Sequence, residues 1–333
     1  MKIDEIGERS LIKKISGIVD ADCGQGYVGI GDDAALTKPA EGKWLVTSKD
    51  LLVEDVHFLR DAASPRDLGY KSLAVNLSDI AAMGGLPRHA YVALALPRGF
   101  SVAFILEFYR GMQSLAERHG VAISGGDIVG SPGPVMISVT VQGEVDRERA
   151  LLRSGAGPGD LLCVTGELGA SAAGLLLLQN EINCPEEIRK AALEAHLRPV
   201  PRIGEAAFLA SGGQVTAAMD ISDGLLKDLG EICEASGCGA LLFAEKIPVH
   251  PAAEAIARLR DVDPLALAVN GGEDYEILCA VKPAAFDKLA AAYRERFGTD
   301  LHPIGEVTTG SEMLMVTKDG KRETLSFKGF QHF

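Results

Sequence analysis

Apolar and polar positions along this chain fall into two alternating rhythms. Runs rich in β-branched and aromatic residues predict strands at 43–48 (KWLVTS) and 90–96 (AYVALAL). Between them Leu68, Ala74, Val75, Leu77 and Ala81 supply the apolar face of a helix. Ser64 is its N-cap, Pro65 its first helical position, and Gly84-Gly85 its stop. A second helix is predicted over 101–119, closed by Gly120, followed by a strand at 121–124, a loop at Gly125-Gly126-Asp127 and a strand at 135–141. The stretch 146–159 is charged and then Gly/Pro-rich, which predicts a boundary and hence domains over 1–148 and 149–333. The second half predicts strands at 161–165, 215–219 and 275–281. Helices are predicted at 171–179, 186–196, 224–235 and 284–297, with a hairpin over 312–327 that turns at Asp319-Gly320. This interleaving predicts an α/β (α+β) protein of two domains.

Composition narrows the function classes. With 333 residues, 47% hydrophobic and 24% charged, the chain is long enough for sizeable cores and is not disordered, collagenous or coiled-coil. Its 33 Lys and Arg against 46 Asp and Glu leave a net charge of −13. A general nucleic-acid or anionic-membrane binder needs a basic face, so neither partner is expected. No apolar run is long enough to span a membrane, and residues 1–10 hold no apolar signal-peptide core. The 6 cysteines include no CxxC pair, which fits reduced thiols in a cytoplasmic protein.

The acids carry the chemical signal. They stand in GIGDD (29–33), TSKD (47–50), at Asp79 in the last turn of the first helix, in GGD (125–127), DISDG (220–224) and GGED (271–274). Each is expected at the end of an element, mostly beside glycine, where α/β proteins assemble sites. A single such Asp is ordinarily a cap or a turn residue. Asp79 is harder to explain so, because it faces the unfavourable end of the helix dipole. If several converge, each pair at 4 Å repels by about 4 kcal/mol at an effective dielectric near 20. Divalent cations would remove that cost, and oxygen-only ligands indicate Mg²⁺, Mn²⁺ or Ca²⁺ rather than zinc.

Other motifs fail. Gly29–Ala34 matches the dinucleotide pattern GxGxxA, but 36–42 is a Pro/Gly-bearing loop, and two bare acids would repel a pyrophosphate. There is no GxxxxGK[ST], no protein-kinase HRD and DFG set, no GxSxG and no HExxH. His57, in a polar loop after Asp55, is the histidine with a functional setting.

Taken together, GIGDDAA (29–35), LAVNLSDIAAMGG (73–85), SGGD (124–127), LLRSGAGPGD (151–160), MDISDGL (219–225) and NGGEDYE (270–276) resemble the thiamine-monophosphate kinase family, in family order and over nearly the whole chain. The resemblance implies an ATP-binding fold shared with aminoimidazole ribonucleotide and selenophosphate synthetases and a hydrogenase-maturation protein. In that fold the N-terminal sheets of two subunits pair into a barrel, and the C-terminal domain is an α/β layer. It implies a homodimer whose reaction is ATP plus thiamine monophosphate giving ADP and thiamine diphosphate. By resemblance, Asp33, Asp50, Asp79, Asp127, Asp220 and Asp223 hold several Mg²⁺ ions, with Ser48 and the Lys49 backbone as further ligands. Tyr109, Gly126, Asp127, Arg153 and Ser222 contact ATP; His57, Glu273 and Phe330 bind thiamine monophosphate.

Lys49 departs from the family pattern, which carries a small hydroxyl residue there, and would place a cation near the metal cluster. No catalytic side chain is implied. The attacking phosphate oxygen is already ionised at neutral pH, so positioning and charge neutralisation suffice. The rival readings are another ATP-dependent enzyme of the same superfamily and a non-catalytic Mg-ATP sensor.

Overall fold

The computed structural model describes residues 40–325, together with 14, 17 and 18. The expectations for Asp33 and Phe330 lie outside the described residues. The described chain divides into two compact units, one of 40–80 with 85–147 and one of 81–84 with 148–325.

The first unit is built on a four-stranded sheet of β1 (Lys43–Val53), β2 (Leu86–Pro97), β3 (Ala122–Ser131) and β4 (Met136–Asp146), in the order β1-β4-β2-β3. β2 and β3 are parallel and are joined through α2 (Val102–His119); the other pairs are antiparallel. α1 (Pro65–Ala82) precedes β2. The Ser64 hydroxyl caps α1 by accepting from the Asp67 amide at 3.1 Å and donating to the Asp67 carboxylate at 2.7 Å. Gly120, at φ 63°, ends α2, and its N–H returns to the Ala116 and Glu117 carbonyls. Alternate residues of β2 and β4 (Ala90, Val92, Leu94; Ile137, Val139, Val141) are buried with Leu73, Leu77 and Ile80 of α1 and Ile105, Met112 and Leu115 of α2.

Two expectations change here. β1 continues past Ser48 to Val53, because Asp50, Leu51 and Leu52 keep antiparallel register with Val139, Ser138 and Ile137. Asp50 is therefore in mid-strand. β3 likewise runs through Gly125-Gly126-Asp127, which sequence reading makes a loop. Its pairing with β2 slips between Ala90 and Tyr91, an irregularity that absorbs the glycines. Gly126 is required there, since a Cβ would lie 1.8 Å from the Val92 carbonyl oxygen.

The second unit holds a seven-stranded sheet in the order β11-β10-β7-β9-β5-β8-β6. Its strands are β5 (Leu161–Thr165), β6 (Val215–Asp220), β7 (Gly239–Phe243), β8 (Ile277–Val281), β9 (Leu301–Thr308), β10 (Met313–Val316) and β11 (Arg322–Thr324). All neighbours are antiparallel except β10 and β7. The helices are α3 (Ala170–Gln179), α4 (Glu186–Leu197), α5 (Ile203–Ser211), α6 (Leu225–Ser236), α7 (Pro251–Leu259), α8 (Pro264–Asn270) and α9 (Pro283–Phe297). One core gathers β5, β6, β8 and α6 around Leu162, Met219, Leu229 and Leu278; a smaller one joins Ala173 and Leu177 of α3 to Ala192 of α4 and Ile256 of α7.

Sequence periodicity misses β7, β9, α5, α7 and α8. β7 is a short apolar run buried along nearly its whole length, and such a run carries no period. The three helices span only 9, 9 and 7 residues. Five described cysteines are free, with Cys163 opposite Cys279 across β5 and β8. Among the described residues no helix is long and apolar enough to cross a membrane.

Candidate functional site

In the first unit, strand alternation sets the chemistry. Val46 and Leu52 of β1 are buried, so Ser48 and Asp50 share their face of the sheet. That face meets the C-terminal half of α1. The Ser48 hydroxyl donates to the Asp79 carboxylate, and the Asp50 amide donates to the buried Asn76 side-chain oxygen at 3.0 Å. Burial, and then the negative charge of Asp79, push the Asp50 carboxyl up to about 6. Two acids are thus held together at the wrong end of a helix dipole, with a hydroxyl beside them.

Lys49 points the other way. It is exposed on the opposite face of β1, with Leu45, Thr47 and Leu51. The expected cation beside the acids is therefore absent from that face, for the plain reason that strand side chains alternate.

Asp127 is not brought to this pair. β1 and β3 are the two edges of the sheet, three strand spacings or about 14 Å apart along it. Asp127 pairs with Ala93, on the face opposite to Asp50; it is exposed, and its Oδ1 accepts from the Ile128 amide at 2.9 Å. Gly126 is exposed beside it. Tyr109 is only 4% exposed, edge-on to Phe108 in the core. Helical spacing from Ile105 to Met112 turns it inward, so it offers no open face to a nucleotide. His57 is half-buried after β1, where its Nδ1 accepts from the Val53 amide at 3.0 Å.

In the second unit two loops lie backbone to backbone. The Glu273 and Tyr275 amides donate to the Ser222 and Ile221 carbonyls, and the Ile221 amide to the Glu276 carbonyl, each at 2.8 Å. DISDG and NGGED therefore form one structure. Asp220 ends β6 and is 4% exposed. Asp223 is half-buried and paired with Lys227 of α6 at 2.6 Å. Arg153 is exposed and meets Glu231 at 3.3 Å.

The acids that organise these loops are mostly not the ones sequence reading selects. Asp228, in the first turn of α6, accepts from the Ser222, Asp223 and Gly224 amides through one oxygen, at 3.0, 3.1 and 3.1 Å. Burial and Asp223 nonetheless push it up to about 7. Asp274 accepts from the Gly169 amide at 2.8 Å, pinning the loop to the start of α3, and burial raises it to about 8. Glu276 takes both a bidentate Arg202 fork, at 2.5 and 2.8 Å, and the Thr165 hydroxyl at 2.6 Å. Glu273 and Tyr275, between these pins, are held at φ 65° and 52°, a left-handed backbone that costs non-glycine residues free energy. A sequence signal for Asp228 did exist: it shares the buried face of α6 with Leu225, Leu229 and Ile232.

Ser48, Asp50 and Asp79 fit a magnesium ion. The donors are all oxygen, the carboxylates repel unless a cation intervenes, and Mg²⁺ needs only one or two carboxylates when water and phosphate complete its shell. Among the described residues no group of three or more His, Cys, Asp or Glu is gathered to hold a metal.

The family models for AIR synthase related proteins match this chain, the N-terminal domain over residues 31–145 and the C-terminal domain over 157–316. The thiamine-monophosphate kinase of Salmonella typhimurium is 39% identical over 331 residues, covering 98% of both chains. That of Bacillus subtilis is 38% identical over 311 residues, covering 92% of this chain and 93% of its own. The crystal structure of the thiamine-monophosphate kinase of Stenotrophomonas maltophilia superposes with a TM-score of 0.82 at 36% identity, over 93% and 96% of the two chains. The structure of AaThiL complexed with AMPPCP and TMP gives a TM-score of 0.77 at 32% identity, over 100% and 99%. The hydrogenase-maturation protein HypE of Escherichia coli shares the fold, with a TM-score of 0.79 at 21% identity.

Proposed function

The chain belongs to the thiamine-monophosphate kinase family of AIR synthase related proteins, and from that premise we propose how its residues perform the reaction. It is a phosphotransferase that moves the terminal phosphoryl group of ATP onto thiamine monophosphate, forming thiamine diphosphate and ADP. The observation that carries this is identity at 38–39% along nearly the whole chain to thiamine-monophosphate kinases, joined to the likeness to a relative complexed with AMPPCP and TMP.

The transfer is direct and in line, without a phosphorylated protein. Ser48, Asp50 and Asp79 are the residues that would hold Mg²⁺ in the first unit, with Asp33, Asp127, Asp220, Asp223 and the Lys49 backbone as further ligands. Bound there, Mg²⁺ supplies positive charge against the phosphates. Arg153, Ser222, Gly126 and Asp127 bind ATP, while His57, Glu273 and Phe330 bind thiamine monophosphate. Residues 1–148 carry most of the metal ligands and 149–333 complete the substrate site. The enzyme works as a cytoplasmic homodimer. Asp50 and Asp127 stand on opposite edges of one sheet, so within one chain they would serve different ions.

The test is product identity. Purified protein given ATP, Mg²⁺ and thiamine monophosphate forms thiamine diphosphate; chelation with EDTA stops turnover, and Mg²⁺ restores it. ATP consumption that ignores thiamine monophosphate would place the chain among the other synthetases of the superfamily. A phosphorylated protein trapped during turnover would overturn the direct transfer.

A further inference from the structure

We infer that His196 is a positioning residue for the thiamine-phosphate site, acting through Glu273; this rests on the reading that Glu273 binds that substrate. His196 stands in the last turn of α4 and is 7% exposed. Its place follows from a close helix contact. At Gly174 of α3 a Cβ would lie 2.2 Å from the Ala192 carbonyl oxygen and 2.7 Å from the His196 Cβ, so only glycine lets α4 approach this far. The approach carries the imidazole to the start of α3, where Nδ1 lies 3.0 Å from the buried Ser171 hydroxyl and 3.3 Å from Glu273 Oε2. The surrounding interface is apolar, made by Ala173, Leu177 and Ala192. A buried imidazole costs free energy in such a place unless its polar atoms are engaged.

The backbone around Glu273 is already fixed. Its own N–H is bonded to the Ser222 carbonyl, Asp274 is pinned to the start of α3, and Glu276 is clamped by Arg202. What such a backbone leaves to be set is the direction of the Glu273 carboxylate, which is half-buried. His196 Nδ1 restrains it from the protein side. Thiamine monophosphate carries a cationic thiazolium ring and an aminopyrimidine whose amino group donates hydrogen bonds. A carboxylate held in one direction recognises such a ligand better than a rotating one, because less is lost on ordering it. The strained backbone at Glu273 fits a residue kept for recognition, since glycine would adopt φ 65° without penalty.

The test is a double-mutant cycle on the full-length enzyme, read as steady-state constants for each substrate. His196→Ala raises KM for thiamine monophosphate about tenfold, while kcat and KM for ATP stay within about twofold. His196→Asn, which keeps an N–H near the Nδ1 position, recovers KM to within about threefold of wild type. In a Glu273→Gln background the His196→Ala effect shrinks below about twofold, because the two residues act as one unit. If His196→Ala fails to fold, His196→Leu, which keeps the buried volume without a ring nitrogen, takes its place in the same cycle. An effect on KM for ATP as large as that for thiamine monophosphate, or a full effect that survives in Glu273→Gln, overturns the inference while leaving the enzyme's function intact. A wild-type protein inactive on thiamine monophosphate overturns both.

Discussion

The two units use buried acids in opposite ways. In the first, Asp50 and Asp79 lie close together; the Ser48 hydroxyl donates to Asp79, and burial and the charge of Asp79 raise the Asp50 carboxyl. In the second, Asp228, Asp274 and Glu276 are each held by donors, three amides on the first, the Gly169 and Ser171 amides on the next, and an arginine fork with a threonine hydroxyl on the third. The first pair is the proposed seat of a cation; the second set fastens its loops to the elements around them. The difference teaches that an acidic motif has to be divided by what already donates to it before any residue in it is assigned to a ligand.

The sharpest way to break this comparison is to remove one acid of the poised pair. Asp50→Ala should lower kcat by about a thousandfold or more while the midpoint of thermal unfolding holds or rises, since a desolvated charge beside Asp79 is gone. Asp127→Ala should also abolish turnover with the fold intact, and near-normal activity in either variant would refute its assignment as a ligand. Asp228→Ala should act in the opposite sense on stability. Three amides lose their acceptor, at a cost of about 3 kcal/mol in urea unfolding, and activity falls with the loosened loop. Equal stability changes in Asp50→Ala and Asp228→Ala would erase the distinction drawn here.

A smaller effect follows from pH. Asp274 is raised from 3.8 to about 8, so the folded chain keeps a proton there that the unfolded chain gives up at much lower pH. Its stabilising increment is whole below about pH 4 and is lost as pH rises through about 8. The unfolding midpoint of the metal-free protein should therefore fall between about pH 4 and pH 8, and Asp274→Asn should flatten that slope. The smallest effect belongs to Lys49. Lys49→Thr should change kcat and both KM values by no more than about twofold, because its side chain lies on the face away from Asp50. A large loss would mean that the lysine itself contacts a substrate phosphate.

Much of the fold was legible because its elements announce their ends. Ser64-Pro65, Gly120 and the Gly-rich stretch before Asp160 all mark boundaries by local chemistry, and the loops at 220–224 and 271–274 fall between strands and helices as their glycines imply. The site was legible only in part. Ser48, Asp50 and Asp79 were selected as acids and hydroxyl, but their meeting depends on how α1 lies on β1, which no local pattern encodes. Asp127 was selected as well, yet its strand position comes from a slipped pairing with β2, a tertiary event. His196 was missed because one histidine near a helix end reads as an ordinary dipole partner. Its role appears only when Gly174 brings two helices together.

Three N–H groups converging on a point are what a phosphate cradle is made of. At Ser222, Asp223 and Gly224 that point is filled from within by the Asp228 carboxylate. The loop has its own built-in anion, so a polyphosphate arriving from solution finds that seat occupied. With its amide committed in this way, Ser222 keeps its hydroxyl for the contact with ATP proposed above.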